Sequence, residues 1–251
     1  MLPQFLFEYC KELVASEFRL HEKTGMKIFL DTADLEAIRK YSKMGFIDGV
    51  TTNPAILARE GKNFLDVVSE IIELVDGPIS CEVVSLDSQK MVFEGRALAR
   101  IHECIVVKIP AIPAGFEALA ILSAEGIKTN FTVVYTPNQA LLAAKNGATY
   151  VSPFVGRLHA NAGSGDDIVR NIVQTYKNYG FKTQVLAASM RNSLYVQQAA
   201  LAGAHAATVP PAVLDDMINS ELSQVALTGF LSEWNTLPPD KRNIFGGQNE
   251  T

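Results

Sequence analysis

Four charged or amide side chains interrupt segments that are otherwise apolar. Asp31 follows KIFL and Asn53 follows GVTT, while Glu82 lies within ISCEVV and Lys108 follows IVV. Strands of a parallel sheet are buried on both faces and are continuously apolar, so a polar residue near the end of such a strand requires a reason. Because ligand sites lie at the carboxyl ends of parallel strands, these four residues are candidates for a functional site.

Lys108 has the chemistry of an electrophile trap. An ammonium group in an apolar strand is desolvated, and desolvation favours the neutral amine. A neutral amine attacks a carbonyl carbon and forms a Schiff base, so Lys108 is a candidate nucleophile toward a ketose. The sequence leaves a structural alternative open, in which Lys108 extends to the rim or forms an ion pair with Glu82 or Asp31.

Carboxylates beside such a lysine can carry protons. Cleavage of a carbon–carbon bond needs a group that takes a proton from a hydroxyl and returns one to a carbanion equivalent, which suits Asp31 and Glu82. The competing interpretation for Asp31 is local, because either Asp31 or Thr32 can cap the helix that follows.

A second group of polar residues suits hydroxyls and phosphate. An arginine offers a planar fork of donors to phosphate oxygens, and a serine with the backbone N–H groups of a helix start completes such a site. The segments SPFVGR and AASMRNS end the sixth and seventh predicted strands, and barrels often bind phosphate late in the fold. Surface ion pairs are the alternative for the two arginines. The group consists of Asn130, Thr132, Ser152, Arg157, Ser189 and Arg191.

The elements that would position these residues repeat along the chain. From Met26 onward, short β-branched runs alternate with amphipathic helical stretches, which is typical of βα units around a parallel sheet. Eight strands at intervals of roughly 20 to 35 residues favour a single closed (β/α)8 barrel, and no G-x-G-x-x-G turn follows a strand as an open dinucleotide-binding sheet would require. The strands are predicted within KIFLD, GFIDGVTTN, ISCEVV, CIVVKIP, KTNFTVVY, ATYVSPFV, TQVLAAS and AATVPP.

The two ends of the chain are predicted to lie outside the barrel itself. We expect residues 1–25 to be an N-terminal extension of unknown role and residues 26–251 to form the barrel with a C-terminal helix and tail. That helix is predicted as one long element, PAVLDDMINSELSQVALTGFLSEWNTL, and the polar segment after it as a mobile tail or a subunit contact.

Composition limits the class of function. The net charge of −5 and the pI near 5.4 argue against a nucleic-acid surface, which needs a basic face. Three cysteines without metal or redox spacing predict reduced thiols, no metal site and a cytoplasmic location. No apolar run reaches the roughly 20 residues that span a bilayer, so no membrane association is expected.

Several blocks of the sequence, taken together and in order, resemble the transaldolase family, in particular its short subfamily that also includes fructose-6-phosphate aldolase. The blocks are FLDTAD, GVTTNPAIL, VVKIPA, NFTVVYTPNQALLAAKNGATYVSPFVGRL and AASMRN. The resemblance implies a (β/α)8 TIM barrel, a reaction without metal or organic cofactor, and a homo-oligomer, a pentamer or a decamer.

The resemblance also implies a role for each candidate residue. Lys108 would form the Schiff base, and Asp31 would act as acid and base on the hydroxyl where the carbon chain is cut. Glu82 and Thr132 would hold a catalytic water. Hydroxyls of the dihydroxyacetone unit would bind to Asn53, Asn130 and Ser152, and the phosphate to Arg157, Ser189 and Arg191.

Two positions favour transfer over simple cleavage within this family. Fructose-6-phosphate aldolases tend to have Gln at the position of Glu82 and Tyr at that of Phe154. A tyrosine hydroxyl would help to protonate the carbanion equivalent, and Phe154 cannot do so. The sequence thus predicts a transaldolase of the pentose phosphate pathway, with an aldolase, a non-catalytic sugar-phosphate-binding barrel and an isomerase that uses Glu82 as base as alternatives.

Overall fold

Eight parallel strands close into a barrel in a computed structural model, which describes residues 25–162 and 165–242. Each strand pairs with its neighbours in sequence, and β1 closes the ring against β8. The predicted (β/α)8 TIM barrel is therefore confirmed. The strands are β1 Lys27–Asp31, β2 Ile47–Thr51, β3 Ile79–Glu82, β4 Ile105–Pro110, β5 Thr129–Val134, β6 Tyr150–Pro153, β7 Gln184–Ala187 and β8 Ala206–Val209.

Eleven helices in the described part of the chain surround the barrel and extend beyond it. They are α1 Leu35–Ser42, α2 Pro54–Glu60, α3 Phe64–Leu74, α4 Ser88–Ala99, α5 Pro113–Ala124, α6 Pro137–Lys145, α7 Val155–Ala162, α8 Gly165–Tyr179, α9 Ser193–Leu201, α10 Pro211–Ile218 and α11 Glu221–Trp234. The short helices α2 and α7 follow β2 and β6 directly and precede the longer helices α3 and α8.

Two cores hold the barrel together. The larger lies between the sheet and the helices, where, for example, Val67, Val68 and Ile71 of α3 are buried. Each such side chain contributes about 1.5–3 kcal/mol when it is fully buried. The smaller core contains no helical residue and fills the barrel interior with Phe29, Val106, Tyr150, Leu186 and Ala206.

The interior core positions the polar residues above it. Side chains alternate across a strand, so the residue two positions further on points into the same interior, one layer closer to the carboxyl ends. These next residues are Asp31, Lys108, Ser152, Ala188 and Thr208. All five line one cavity at the carboxyl face, so the pattern of the strands builds that cavity directly on an apolar layer.

The prediction of one long C-terminal helix is wrong. Helix α10 ends at Ile218, Asn219 has extended backbone angles, and Ser220 caps α11 by accepting a hydrogen bond from the Ser223 N–H. A cap serine offers the backbone an alternative to continuing the helix, which explains the break. Helix α11 has no buried residue, and its apolar side chains, including Leu222 and Phe230, are exposed.

Parts of two predictions lie outside the described residues. The expected N-terminal extension does so except for Gly25, and the expected tail does so from residue 243 onward. Within the described ranges, no helix is both long and apolar enough to cross a membrane. The same ranges contain no group of three or more His, Cys, Asp or Glu side chains arranged to bind a metal ion.

Candidate active site

A cavity of about 180 Å³ opens at the carboxyl face of the barrel and collects most of the predicted site residues. Nine of the eleven line it. They are Asp31, Asn53, Lys108, Asn130, Ser152, Phe154, Arg157, Ser189 and Arg191. The other two, Glu82 and Thr132, do not line the cavity, but they lie on β3 and β5, the strands on either side of Lys108.

Lys108 lies in β4 with its side chain buried and held from two sides. Its Nζ is 3.1 Å from Glu82 Oε2 and donates to the Thr52 carbonyl oxygen at 3.1 Å. The register of the sheet places Glu82 directly opposite Lys108 on the neighbouring strand. The ion pair that the sequence left open is thus present, and it also places a carboxylate where it can receive the lysine proton.

Asp31 ends β1 at the edge of the same cavity. Thr51 Oγ1 donates to Asp31 Oδ1 at 2.8 Å. Burial raises the pKa of Asp31 above its ordinary value, although the charge of Lys108 and the hydrogen bond from Thr51 both act to lower it. A carboxyl group with a raised pKa is suited to proton transfer near neutral pH.

The alternative role of Asp31 as a helix cap is wrong. Helix α1 is capped by Asp34, whose side chain accepts from the backbone N–H groups of Glu36 and Ala37. Thr32 accepts from the N–H of Asp34, two residues further on, so it is not the helix cap either. Because Asp34 performs the capping, the carboxylate of Asp31 is left for the cavity.

A chain of buried polar groups crosses the floor of the site between β3, β5 and β6. Ser152 donates to Asn130 Oδ1 at 2.7 Å, and Asn130 Nδ2 donates to Ser80 Oγ at 3.2 Å. Buried amides and hydroxyls need such partners, and the chain fixes the orientation of the Asn130 amide. Thr132 Oγ1 is buried and has no hydrogen-bond partner within residues 25–162 and 165–242, so it can bind a small polar molecule.

Asn53 caps a helix and also lines the cavity. Its Oδ1 accepts from the Ile56 N–H at 2.9 Å and so caps helix α2. A capping amide uses its oxygen, which leaves its NH₂ group as a donor toward a ligand. Helix α2 itself therefore determines how Asn53 presents this donor.

The cationic side of the cavity is formed by the segments that follow β6 and β7. Arg157 stacks over Phe154, with 5.6 Å from its Cζ to the ring centroid, and Phe154 packs edge-on against Tyr135. Among the described residues, neither Arg157 nor Arg191 forms an ion pair. The alternative of surface ion pairs is therefore not supported, and both guanidinium groups can bind an anion.

The two cationic segments touch closely at Gly156. Gly156 in α7 lies so near the loop after β7 that a Cβ atom there would be 2.1 Å from the Ser189 carbonyl oxygen and 3.0 Å from Arg191 Cγ. Ser189 has a φ of 63°, in the left-handed region that serine adopts only at a cost. This tight contact fixes Ser189 and Arg191 relative to Arg157.

Two threonines of the cavity were missed at the sequence level. Thr51 and Thr208 line it, and their hydroxyls hydrogen-bond to each other while Thr51 also bonds Asp31. Threonine is common in strands, so neither residue broke the apolar pattern. The available signal was alternation, since Thr51 lies two residues before Asn53 and Thr208 two residues after Ala206.

Comparison with known proteins identifies the relationship of the chain. A family model described as Transaldolase/Fructose-6-phosphate aldolase matches residues 28–241. The chain belongs to this family. As a member of the transaldolase/fructose-6-phosphate aldolase family, which processes sugar phosphates, it is an enzyme of the transaldolase and aldolase type.

Curated relatives agree with this placement. A probable transaldolase of Geobacter sulfurreducens is 49% identical over 213 residues, which cover 85% of this chain and 100% of the relative. A probable transaldolase of Moorella thermoacetica is 53% identical over 209 residues, covering 83% of this chain and 97% of the relative.

Solved structures agree at the level of the fold. One, titled Native KDPGal structure, has a TM-score of 0.52 and 17% identity, and covers 75% of this chain and 84% of that one. A mandelate oxidase mutant has a TM-score of 0.53 and 15% identity, and the match covers 74% of this chain and 64% of that one. At such low identity the likeness concerns the barrel alone.

Proposed function

We propose that this enzyme is a transaldolase that transfers a dihydroxyacetone unit between sugar phosphates through a Schiff base on Lys108. The reaction converts sedoheptulose 7-phosphate and glyceraldehyde 3-phosphate into erythrose 4-phosphate and fructose 6-phosphate. The observation that carries the proposal is the buried contact of Lys108 Nζ with Glu82 Oε2, at 3.1 Å, in a cavity that also contains Asp31.

Imine formation is the first chemical step. The ammonium proton of Lys108 passes to Glu82, and the free amine attacks the C2 carbonyl of the ketose. Loss of water from the carbinolamine then needs a proton delivered to the departing hydroxyl. A water molecule between Glu82 and the unpartnered hydroxyl of Thr132 can carry that proton, since the Thr132 oxygen has no partner among the described protein groups.

Carbon–carbon cleavage is the second step and belongs to Asp31. Its carboxylate takes the proton of the C4 hydroxyl, the C3–C4 bond breaks, and the electron pair moves into the imine to give an enamine. The aldehyde product leaves with the newly formed carbonyl group. When an acceptor aldehyde enters, the enamine carbon attacks its carbonyl carbon and Asp31 returns the proton to the oxygen.

Binding of the two ends of the substrate follows the polarity of the cavity. The amides of Asn53 and Asn130 with Ser152 suit the hydroxyls of the three-carbon unit beside Lys108. Arg157 and Arg191, which have no carboxylate partner in the described chain, suit the phosphate at the far end, together with Ser189. Because the net charge of the chain is −5, an anion has to be bound by a local pair of cations such as these.

Transfer is favoured over release of dihydroxyacetone by Phe154. This side chain lines the cavity and is fixed between Tyr135 and Arg157, but it has no proton to give to the enamine carbon. The enamine therefore persists until an acceptor aldehyde arrives. The alternative, fructose-6-phosphate aldolase activity, predicts free dihydroxyacetone from fructose 6-phosphate without any acceptor.

The decisive experiment is reductive trapping. The enzyme is incubated with fructose 6-phosphate and sodium borohydride, and the adduct is located by peptide mass spectrometry. We expect a reduced three-carbon adduct on Lys108, and none in Lys108→Met. A matched control is Lys128→Met, because Lys128 lies at the opposite end of the barrel and its Nζ bonds only the Glu103 carbonyl oxygen among the described residues.

The outcomes separate the candidate functions. An adduct with erythrose 4-phosphate formation in the presence of glyceraldehyde 3-phosphate supports the transaldolase, and free dihydroxyacetone at a similar rate supports the aldolase. Retained turnover in Lys108→Met would point to the isomerase that uses Glu82. Binding without turnover or adduct would point to a non-catalytic barrel.

A further inference from the structure

A short chain of hydroxyls reaches Asp31 from the strands on either side of it. Strand β1 lies between β2 and β8 in the barrel. Thr51 of β2 donates to Asp31 Oδ1 at 2.8 Å, and the hydroxyls of Thr51 and Thr208 are themselves hydrogen-bonded. Both threonines are buried, at 2% and 4% exposure, so water does not replace these bonds easily.

The number of protons fixes the direction of this chain. A carboxylate can only accept, so Thr51 must give its single hydroxyl proton to an ionised Asp31. In the hydrogen bond between the two threonines, Thr208 must then be the donor and Thr51 the acceptor. When Asp31 becomes protonated, the carboxyl O–H can donate to Thr51, and the whole chain can reverse.

We propose that Thr208, acting through Thr51, is a positioning residue that holds Asp31 as a correctly oriented proton acceptor for the cleavage step. The proposal rests on the role of Asp31 in the proposed function and adds to it. Thr51 binds the carboxylate directly, and Thr208 fixes the rotation of the Thr51 hydroxyl. When Asp31 is ionised, the hydroxyl proton of Thr208 is used in the bond to Thr51. Thr208 then offers only oxygen lone pairs to the cavity, so it can accept from a substrate hydroxyl but cannot donate to a carbonyl or phosphate oxygen.

Four other charged groups lie near Asp31 and the two threonines. Lys108 of β4 faces Asp31 across the cavity, with Glu82 of β3 paired to its Nζ. Arg157 and Arg191 line the same cavity from the segments after β6 and β7. None of these groups contacts Thr208 by a hydrogen bond, so a change at Thr208 leaves their own bonds in place.

Burial and the hydroxyl chain act on Asp31 in opposite directions. Burial raises the pKa of Asp31, and the hydrogen bond from Thr51 lowers it. Loss of the chain is therefore expected to raise the pKa of Asp31 further, so that the carboxylate is available only at higher pH. Removal of the direct donor in Thr51→Val should shift it up by about one unit, a tenfold change in proton affinity. Thr208→Val should raise the pKa of Asp31 by only about 0.3 units, since the bond from Thr208 strengthens the Thr51–Asp31 hydrogen bond by a fraction of its own strength.

The test is titration of the Asp31 carboxyl carbon by NMR in protein labelled with ¹³C aspartate, with the signal assigned by its loss in Asp31→Asn. Wild type is compared with Thr51→Val, Thr208→Val, Thr208→Ser and the double valine variant. Thr208→Ser keeps the hydroxyl and is expected to titrate like wild type. If Thr208→Val does not fold, Thr208→Ala replaces it.

The double variant distinguishes a relay from a general change of polarity. If Thr208 acts through Thr51, the double variant titrates like Thr51→Val alone; if valine merely makes the cavity less polar, the two shifts add. An additive double variant, or a Thr208→Val protein with the wild-type titration, overturns the proposal. The titration does not depend on turnover, so an inactive wild-type enzyme would count against the proposed function and leave the result on Thr208 intact.

Discussion

The contact at Gly156 provides a quantitative test of the phosphate side of the cavity. In Gly156→Ala the new Cβ would lie 2.1 Å from the Ser189 carbonyl oxygen, whereas real Cβ atoms essentially never approach closer than 3.0 Å. The loop that carries Ser189 and Arg191 must therefore retreat by about 0.9 Å, the difference between these two distances. A misplacement of about 1 Å can cost about 100-fold in rate, and overpacking of this kind costs about 1–3 kcal/mol of stability.

The consequence should be confined to the phosphorylated end of the substrate. We expect kcat/KM for fructose 6-phosphate to fall by about 10- to 100-fold, while borohydride trapping of unphosphorylated dihydroxyacetone on Lys108 stays at the wild-type rate. A suitable control is Gly229→Ala, because its Cβ would meet no atom within 4 Å. In a helix that substitution is neutral or stabilising by up to about 1 kcal/mol.

Two results would refute this reasoning about Gly156. Unchanged kcat/KM for fructose 6-phosphate in a folded Gly156→Ala protein would mean that Ser189 and Arg191 do not bind the phosphate. An equal loss for fructose 6-phosphate and dihydroxyacetone would mean that the substitution disturbs the whole cavity. Thermal unfolding of the variant, measured alongside, shows how much of the clash is relieved by movement of the loop.

Three further predictions concern single residues. Asp31→Asn should slow transfer by about 10²- to 10⁴-fold yet unfold at a higher temperature at pH 7. The pKa of the buried Asp31 is raised on folding, so its charge destabilises the native state above that pKa; a lower melting temperature would contradict this. Phe154→Tyr should raise the rate of dihydroxyacetone release relative to transfer, measured with and without acceptor, and an unchanged ratio would remove Phe154 from the explanation. Burial raises the pKa of Cys81 to about 12, so iodoacetamide at pH 8 should modify the more accessible Cys104 before Cys81, as read by peptide mass spectrometry; modification of Cys81 ahead of Cys104 would contradict its burial.

The sequence alone predicted the barrel because the strands and their spacing are local properties. All eight predicted segments contain the observed strands, and KIFLD matches β1 at both ends. The last helix was mistaken because Asn219 and Ser220 are tolerated inside helices and also stop them. Only the observed backbone distinguishes these two uses: Asn219 has extended angles, and Ser220 caps α11.

Some residues of the cavity could also be identified from the sequence, and others were missed. Lys108, Asp31 and Glu82 could be found from sequence, because a charge in an apolar strand has a desolvation cost that requires an explanation. Thr51 and Thr208 did not stand out, since a threonine fits a buried strand as well as any β-branched residue, and only their alternation with Asn53 and Ala206 could have indicated them. What Thr208 touches depends on closure of the barrel, which brings β8 beside β1 although their residues are far apart in the chain.

The sequence by itself determined the period of the strands, the order of the βα units and the chemical types available at their carboxyl ends. These follow from short-range alternation and from the cost of burying charge, both of which act within a few residues. The tertiary structure alone decided which of those groups meet: that Lys108 pairs with Glu82, that the hydroxyls of Thr208 and Thr51 bond beside Asp31, and that Gly156 supports the loop of Ser189. Hydrogen bonds and van der Waals contacts act over a few ångströms, so such pairings exist only once closure of the barrel has set the distances.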